Sequence, residues 1–308
     1  MDARKALTRM PSGAMDSTWR VASRNSEPIY LRPIDRSIAG GEVVGTGGES
    51  LSRLPGNGDG DLPDAATHSS RRERLATKVS IRTQRRKWGG RADTWDRHND
   101  VGMARVAAKA VEMADVRPGM TCVDLGCGGG RLALKLARQG ANVLGVDVSD
   151  AMIKRMESQA LSEGIGTVRS MVAPIEHFTA ADESLDLVIT NYALHHLLDA
   201  DKEKVVGAAF GWLRPGGQLI VADMMLGRGT TARDRQLIAG KIRIMAKKGI
   251  PGYWRILKNA GRYLFRVHER PITPEAWIRL FEVAGFANVE SVNIVAEAAI
   301  VKGIKASA

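Results

Sequence analysis

From residue 101 onward, short apolar runs alternate with segments of helical period. Residues 101–114 (VGMARVAAKAVEMA) carry apolar side chains at three- and four-residue spacing and predict an amphipathic helix, stopped by Arg117, Pro118 and Gly119. The apolar run Met120–Leu125 predicts a buried strand. Glycines at 126, 128, 129 and 130 predict a sharp turn, and Leu132, Leu134, Leu136 and Ala137 open a helix. A second strand, Val143–Val146, leads to Asp147. Ser149 is the candidate N-cap of a helix from Asp150 to about Glu163. Thr167–Val172, Leu185–Thr190 and Gln218–Ala222 read as the third, fourth and fifth strands. A helix over Lys202–Leu213 and a turn at Arg214–Gly217 precede the fifth. Strands alternating with helices predict an α/β fold, a doubly wound parallel sheet with helices on both faces. Its ligand belongs at the carboxyl ends of the strands.

Two regions break this rhythm. Residues 1–70 have few large apolar side chains and no sustained period of 2 or 3.6. They are expected to be a largely disordered extension ahead of a domain over 71–308. Residues 224–270 interrupt the strand pattern with two helix-like stretches. There Ile238, Ile242, Met245 and then Trp254, Leu257 and Leu264 recur near helical spacing, which predicts a lid with an apolar inner face. The charge follows the same division. Residues 71–100 hold ten basic and four acidic side chains, residues 224–270 twelve and two, and the rest of the chain is net negative although the total is +11. Such basic patches suit an anionic substrate, nucleic acid or an acidic surface, or simply a solvated helical face.

Composition adds bounds. At 308 residues and 44% hydrophobic content the chain has ordinary globular composition. The sequence offers neither a run of 18 apolar residues nor a secretory-type start, so a cytoplasmic protein is expected. The two cysteines, Cys122 and Cys127, suit reduced thiols, and neither belongs to a metal-ligand cluster.

The glycine turn carries the chemistry. Its glycines allow a tight reversal and a close backbone approach to a ligand, and Asp147 can accept hydrogen bonds from two ribose hydroxyls. A dinucleotide fingerprint requires a third glycine where Arg131 stands. The order Asp124, Gly126, Gly128, Gly130, then Asp147, resembles instead the first two motifs of the class I S-adenosylmethionine-dependent methyltransferases. DESLDLVITNYALHHL (182–197), LRPGGQLIVAD (213–223) and the terminal helix and strands resemble later motifs in order, so the resemblance covers about residues 88–223 and 271–305. It implies a Rossmann-like sheet, mostly parallel with an antiparallel last strand, and S-adenosyl-L-methionine as cofactor. Contacts are then expected from Asp124, Gly126, Cys127, Gly128, Gly130, Asp147, Val148, Met152, Pro174, Ile175 and Asn191. One position departs from the family. Where members often carry an acidic residue after the third strand, Ala173, Pro174 and Ile175 stand, so the adenine is expected in an apolar sandwich with polarity from Glu176 or the backbone.

Methyl transfer from a sulfonium needs chiefly alignment and exclusion of water. If the acceptor must lose a proton, a neutral imidazole is the natural base near pH 7. His195 and His196, after the fourth strand, are the candidates, with Asp223 as another. The absence of an (Asp/Asn/Ser)-Pro-Pro-(Tyr/Phe) motif after the fourth strand disfavours exocyclic-amine methylation of nucleic-acid bases. The absence of any cysteine after Cys127 excludes the familiar cytosine-C5 mechanism. In the small-molecule branch of that family, which includes ubiquinone and menaquinone biosynthesis methyltransferases, a segment such as 224–270 covers the acceptor together with the residues before the first motif, and the chain resembles that branch. The acceptor is expected to be hydrophobic, with room for an anionic group, and to be met by Trp88, Trp95, His98, Tyr192 and Trp254. An RNA-modifying methyltransferase, with bases stacked on Trp88, Trp95, Tyr253 and Trp254, and a cofactor-binding protein without turnover are the alternatives.

Overall fold

The computed structural model describes residues 31–33, 71–90, 101–227, 235, 236, 239, 240, 242, 243 and 269–307. The strands are β1 (Leu31–Pro33), β2 (Thr121–Leu125), β3 (Asn142–Asp147), β4 (Val168–Val172), β5 (Leu185–Asn191), β6 (Leu213–Met224), β7 (Ala287–Val295) and β8 (Ala298–Ile304). They form one sheet in the order β1-β4-β3-β2-β5-β6-β8-β7. β2 to β6 are parallel, and β8 runs antiparallel between β6 and β7. The chain works outward from β2 through β3 to β4, then returns to β5 on the other side of β2. The switch in direction therefore lies between β2 and β5, where a ligand crevice is expected at the carboxyl ends.

The alternation of strand side chains divides the core in two. Cys122, Val143, Leu187, Ile189, Ile220 and Ile300 point to the face covered by α2 (Val101–Ala114), α3 (Ala133–Arg138) and α4 (Asp150–Ser162). Val123, Leu144, Val188, Val221 and Val301 point to the opposite face, under α5 (Asp199–Trp212) and α6 (Pro274–Ala284). Burial on both faces explains why these strands read as continuous apolar runs. Local signals set several helix ends. Ser149 caps α4 by accepting from the Met152 amide, as its sequence position predicts. Thr273 caps α6, Pro274 opens it, and Gly285 closes it at φ 98°.

Three features differ from the sequence pattern. The fifth predicted strand is longer, because β6 already pairs with Leu185 at Leu213 before a bulge, so the Arg214–Gly217 turn lies within the ladder. Residues 71–89 form a 19-residue helix, α1 (Arg71–Gly89), with eight basic residues and one acidic. Its sparse apolar positions gave no amphipathic signal, only a charge run. Finally, Leu31–Pro33, within the extension expected to lack order, adds antiparallel to the outer edge of β4. Proline is tolerated there because an edge strand has one unpaired side.

Candidate functional site

β2 leads into the glycine turn, which is folded back over β3 by two amides, Gly126 N–H and Cys127 N–H, both donating to the Val146 carbonyl at 2.7 and 3.0 Å. Gly126 has φ 75°, and a Cβ there would lie 2.4 Å from the Ala193 Cβ. Only glycine fits the turn against the β5 loop. Gly128 N–H donates to Asp147 Oδ2 at 2.9 Å, and Ser149 N–H donates to Oδ1 at 2.8 Å. The Asp147 carboxylate, on the cavity wall, is thus held by backbone amides, that of Val148 among them. Burial raises its pKa above the usual carboxylate range.

Asp124 has a different place. It is buried behind the turn, where Oδ2 accepts from the Ala133 amide at the start of α3 at 3.1 Å and Oδ1 has no hydrogen-bond partner among the described residues. Burial, with Asp147 adding like charge, pushes it up to about 7. Its position has a consequence for ligand choice. In dinucleotide-binding folds the helix after the glycine turn receives a pyrophosphate on its N-terminal amides. Here a carboxylate of the protein already occupies that end.

A cavity of about 450 Å³ lies over the glycine turn. Of the expected cofactor contacts, Gly126, Cys127, Gly128, Gly130, Asp147, Val148, Met152, Ile175 and Asn191 line it, whereas Asp124 and Pro174 do not. Pro174 instead caps a 3₁₀ turn, Ile175–His177, that presents Ile175 to the cavity. Glu176 in that turn is also off the cavity wall. The turn packs on α5, and burial, with repulsion from Asp201, pushes the Glu176 carboxyl up to about 7. Asn191 Oδ1 is buried beside the cavity without a hydrogen-bond partner among the described residues. Both thiols are buried and free, Cys122 pushed up to about 12 by burial and Cys127 also raised, so neither is a nucleophile at neutral pH.

The opposite wall comes from α1 and the loop after β5. Thr77, Ser80, Ile81, Gln84 and Trp88 fall on one face of α1. Thr77 Oγ1 donates to Asp201 Oδ2 at 2.8 Å, Ser80 Oγ reaches the His196 carbonyl at 3.4 Å, Ile81 is buried, and Gln84 and Trp88 line the cavity. Tyr192 lines it as well, at φ 53° in the left-handed region. Trp95, His98 and Trp254 lie outside the described residues, as do Tyr253 and most of the 224–270 insert.

The two histidines separate. His196 lines the cavity, while His195 lies behind it with Nδ1 2.6 Å from Asp223 Oδ1 and its backbone N–H donating to Oδ2 at 2.8 Å. The two imidazoles pack with centroids 4.0 Å apart, and Trp88 stands 5.5 Å from His196. A further support was not read from the sequence. Lys202 is fully buried and its ammonium donates to the Leu197 carbonyl at 3.1 Å, to Asp199 Oδ1 at 2.7 Å and to the Arg270 carbonyl at 2.7 Å. Arg270 N–H in turn donates to the His195 carbonyl at 2.6 Å. This lysine ties the histidine loop, the start of α5 and the segment re-entering after the insert. A charged residue at that point of a helix reads as surface, so only the fold shows it inside.

Residues 122–217 match the family described as a methyltransferase domain. That segment is a methyltransferase domain. A curated relative, the ubiquinone biosynthesis O-methyltransferase of Sinorhizobium fredii, is 30% identical over 176 residues, covering 52% of this chain and 66% of that protein. The phosphoethanolamine N-methyltransferase 1 of Triticum aestivum is 31% identical over 107 residues, 34% of this chain and 21% of that protein. The chain therefore spans at most 66% of the length of these two relatives. Among solved structures, the 1,6-didemethyltoxoflavin-N1-methyltransferase of Burkholderia thailandensis, with bound 1,6-didemethyltoxoflavin and S-adenosylhomocysteine, superposes with a TM-score of 0.52. At 17% identity, over 80% of this chain and 94% of that one, it shares the fold of the methyltransferase domain.

Proposed function

We propose that the protein transfers the methyl group of S-adenosylmethionine to an oxygen, nitrogen or carbon nucleophile of a small hydrophobic acceptor. The observation that carries this reading is the pair of carboxylates at the glycine turn. Asp124 occupies the amide end of α3 where a pyrophosphate would otherwise bind, and Asp147 lines the cavity with its carboxylate fixed by the Gly128 and Ser149 amides, which supports a ribose-binding role. When bound, the cofactor supplies an electrophilic methyl on a sulfonium.

The residues present fit that group. Asp147 accepts from the two ribose hydroxyls, and Val148, Met152 and Ile175 provide apolar walls for the adenine. The unpartnered Asn191 Oδ1 offers an acceptor to the ammonium of the amino-acid end. α1 closes the opposite side with Trp88 and Gln84, and so excludes water from the reacting atoms. His196, on the cavity wall, takes the acceptor's proton. His195 is a positioning residue, because Asp223 fixes its ring and its ring packs against His196.

Titration with S-adenosylhomocysteine and with nicotinamide dinucleotides tests the cofactor assignment. Binding of the former alone is expected, and preference for a dinucleotide overturns it. For the base, His196→Ala is expected to lower turnover by about 10²-fold or more. Full activity in both His195→Ala and His196→Ala overturns the role of the pair. An RNA substrate is the competing reading favoured by the exposed cations Arg74, Lys78, Arg82 and Arg85 on α1. Salt-sensitive binding of RNA with label appearing in RNA would establish it instead.

A further inference from the structure

A second concavity, of about 380 Å³, runs along α1 beside the cofactor cavity. Leu75, Ala76, Val79 and Thr83 line it from one stripe of the helix, adjacent to the stripe that faces the domain. Leu75 and Val79 are 63% and 59% exposed. Gln84 and His196 line both concavities, so the groove meets the cofactor cavity at the proposed base. Arg72, Lys87 and Arg270 stand on its wall. Arg72 and Lys87 are about 22 Å apart along the helix at the usual rise, so the cations mark both ends.

We infer that this groove holds the methyl acceptor, and that the acceptor is an amphiphile with an apolar chain and one anionic group. The inference rests on the methyl-transfer reading of the adjoining cavity. A reactive end at His196 and Trp88 leaves the rest of the molecule to follow the groove. The apolar side chains of Leu75, Ala76 and Val79 meet its chain, and the Arg72 guanidinium, at the end of the groove away from Trp88, attracts the anion. A bilayer surface is a poorer match. The exposed apolar residues line a concavity that ends at a reaction site, whereas a membrane would meet a convex face. A nucleic acid would find no stacking platform among the aliphatic side chains of this stripe.

The probes are monomeric straight-chain carboxylates from hexanoate to dodecanoate, with the matching alcohols, titrated into the full chain saturated with S-adenosylhomocysteine and kept below micelle concentrations. The expected result is one-to-one binding that tightens about fourfold per added methylene, the equivalent of about 0.8 kcal/mol, until the groove is filled. Each carboxylate binds more tightly than its alcohol. Val79→Asp places a charge in the apolar stripe at an exposed position. It is expected to weaken dodecanoate binding about tenfold or more and to leave S-adenosylhomocysteine affinity unchanged. Affinity independent of chain length overturns the proposal. So does wild-type affinity in Val79→Asp, or binding to anionic vesicles without binding of the monomeric carboxylates. The two readings fail separately. Retained S-adenosylhomocysteine binding without carboxylate binding removes the groove alone. Loss of S-adenosylhomocysteine binding in the wild-type chain removes the methyl-transfer reading and the acceptor role with it.

Discussion

Replacing Asp147 by alanine removes the two oxygens that the glycine turn holds toward the cavity. In the free protein the two amides that lose their acceptor differ: Gly128 borders the cavity, where water can replace the carboxylate, whereas Ser149 is buried and off the cavity wall, so its lost bond costs about 1 to 3 kcal/mol of stability. In the complex no such replacement exists. Each ribose hydroxyl loses a hydrogen bond to a charged group, worth about 1.5 to 3 kcal/mol net, and the two are not additive because they share one carboxylate. A combined loss of about 2 to 3 kcal/mol corresponds to roughly 30- to 150-fold weaker binding. Calorimetric titration of S-adenosylhomocysteine into wild type and variant reads this directly, with thermal unfolding of the free proteins as the control for folding. The pH dependence adds an independent check. Burial holds the Asp147 carboxyl above its usual range, and the ionised form is the better double acceptor. Affinity should therefore rise with pH as Asp147 titrates, and this rise should vanish in Asp147→Ala. Affinity within twofold of wild type, in a variant that is folded at the temperature of the titration, would refute the ribose role.

Asp124, raised to about 7 by burial, binds a proton in the folded chain over a range where the unfolded chain has released it. The Asp124 contribution to folding stability should accordingly be fully present below about pH 4 and be lost, by up to about 4 kcal/mol, as pH rises to about 7, a share of the pH dependence that Asp124→Asn should remove in urea denaturation. A pH-independent difference between variant and wild type would contradict this. Gly126→Ala forces a Cβ into the Ala193 methyl at a positive φ, and should both destabilise the fold by roughly 1 to 3 kcal/mol and weaken S-adenosylhomocysteine at least tenfold. Lys202→Met strips the donor from two carbonyls and Asp199. Its expected effect is a stability loss of about 2 to 4 kcal/mol and a larger rise in acceptor KM than in cofactor affinity, measured by denaturation and steady-state kinetics. An unchanged denaturation midpoint would remove its anchoring role.

How much of this was legible in the chain depended on whether the cause was local. The strand, turn and helix around Gly126–Gly130 are set by residues next to one another, and the Asp147 position follows from the strand that ends there. That is why the sheet core and the residues that bring the glycine turn and Asp147 to the cavity wall could be named in advance. Ser149 and Thr273 act within one helical turn, and their caps are equally local. Asp124 shows the limit of a motif. Its place in the pattern suggested ligand contact, whereas its carboxylate is turned toward the start of α3. The histidines show another. Both follow β5, but the choice between base and support depends on Asp223, 28 positions away in sequence from His195. Lys202 and the inward face of α1 are set by partners still more distant, Arg270 and Asp201, and a charge-rich segment gives no hint of such burial.

The central claim is that the cavity over the glycine turn serves methyl transfer to a small molecule. Its most direct test is to incubate the full chain with methyl-labelled S-adenosylmethionine and a fractionated cell extract, then follow the label by mass spectrometry. The expected result is label in a small, organic-extractable compound, S-adenosylhomocysteine formed in equal amount, and both signals lost in Asp147→Ala. Label confined to RNA, or tight cofactor binding with no S-adenosylhomocysteine formed from any fraction, would contradict it.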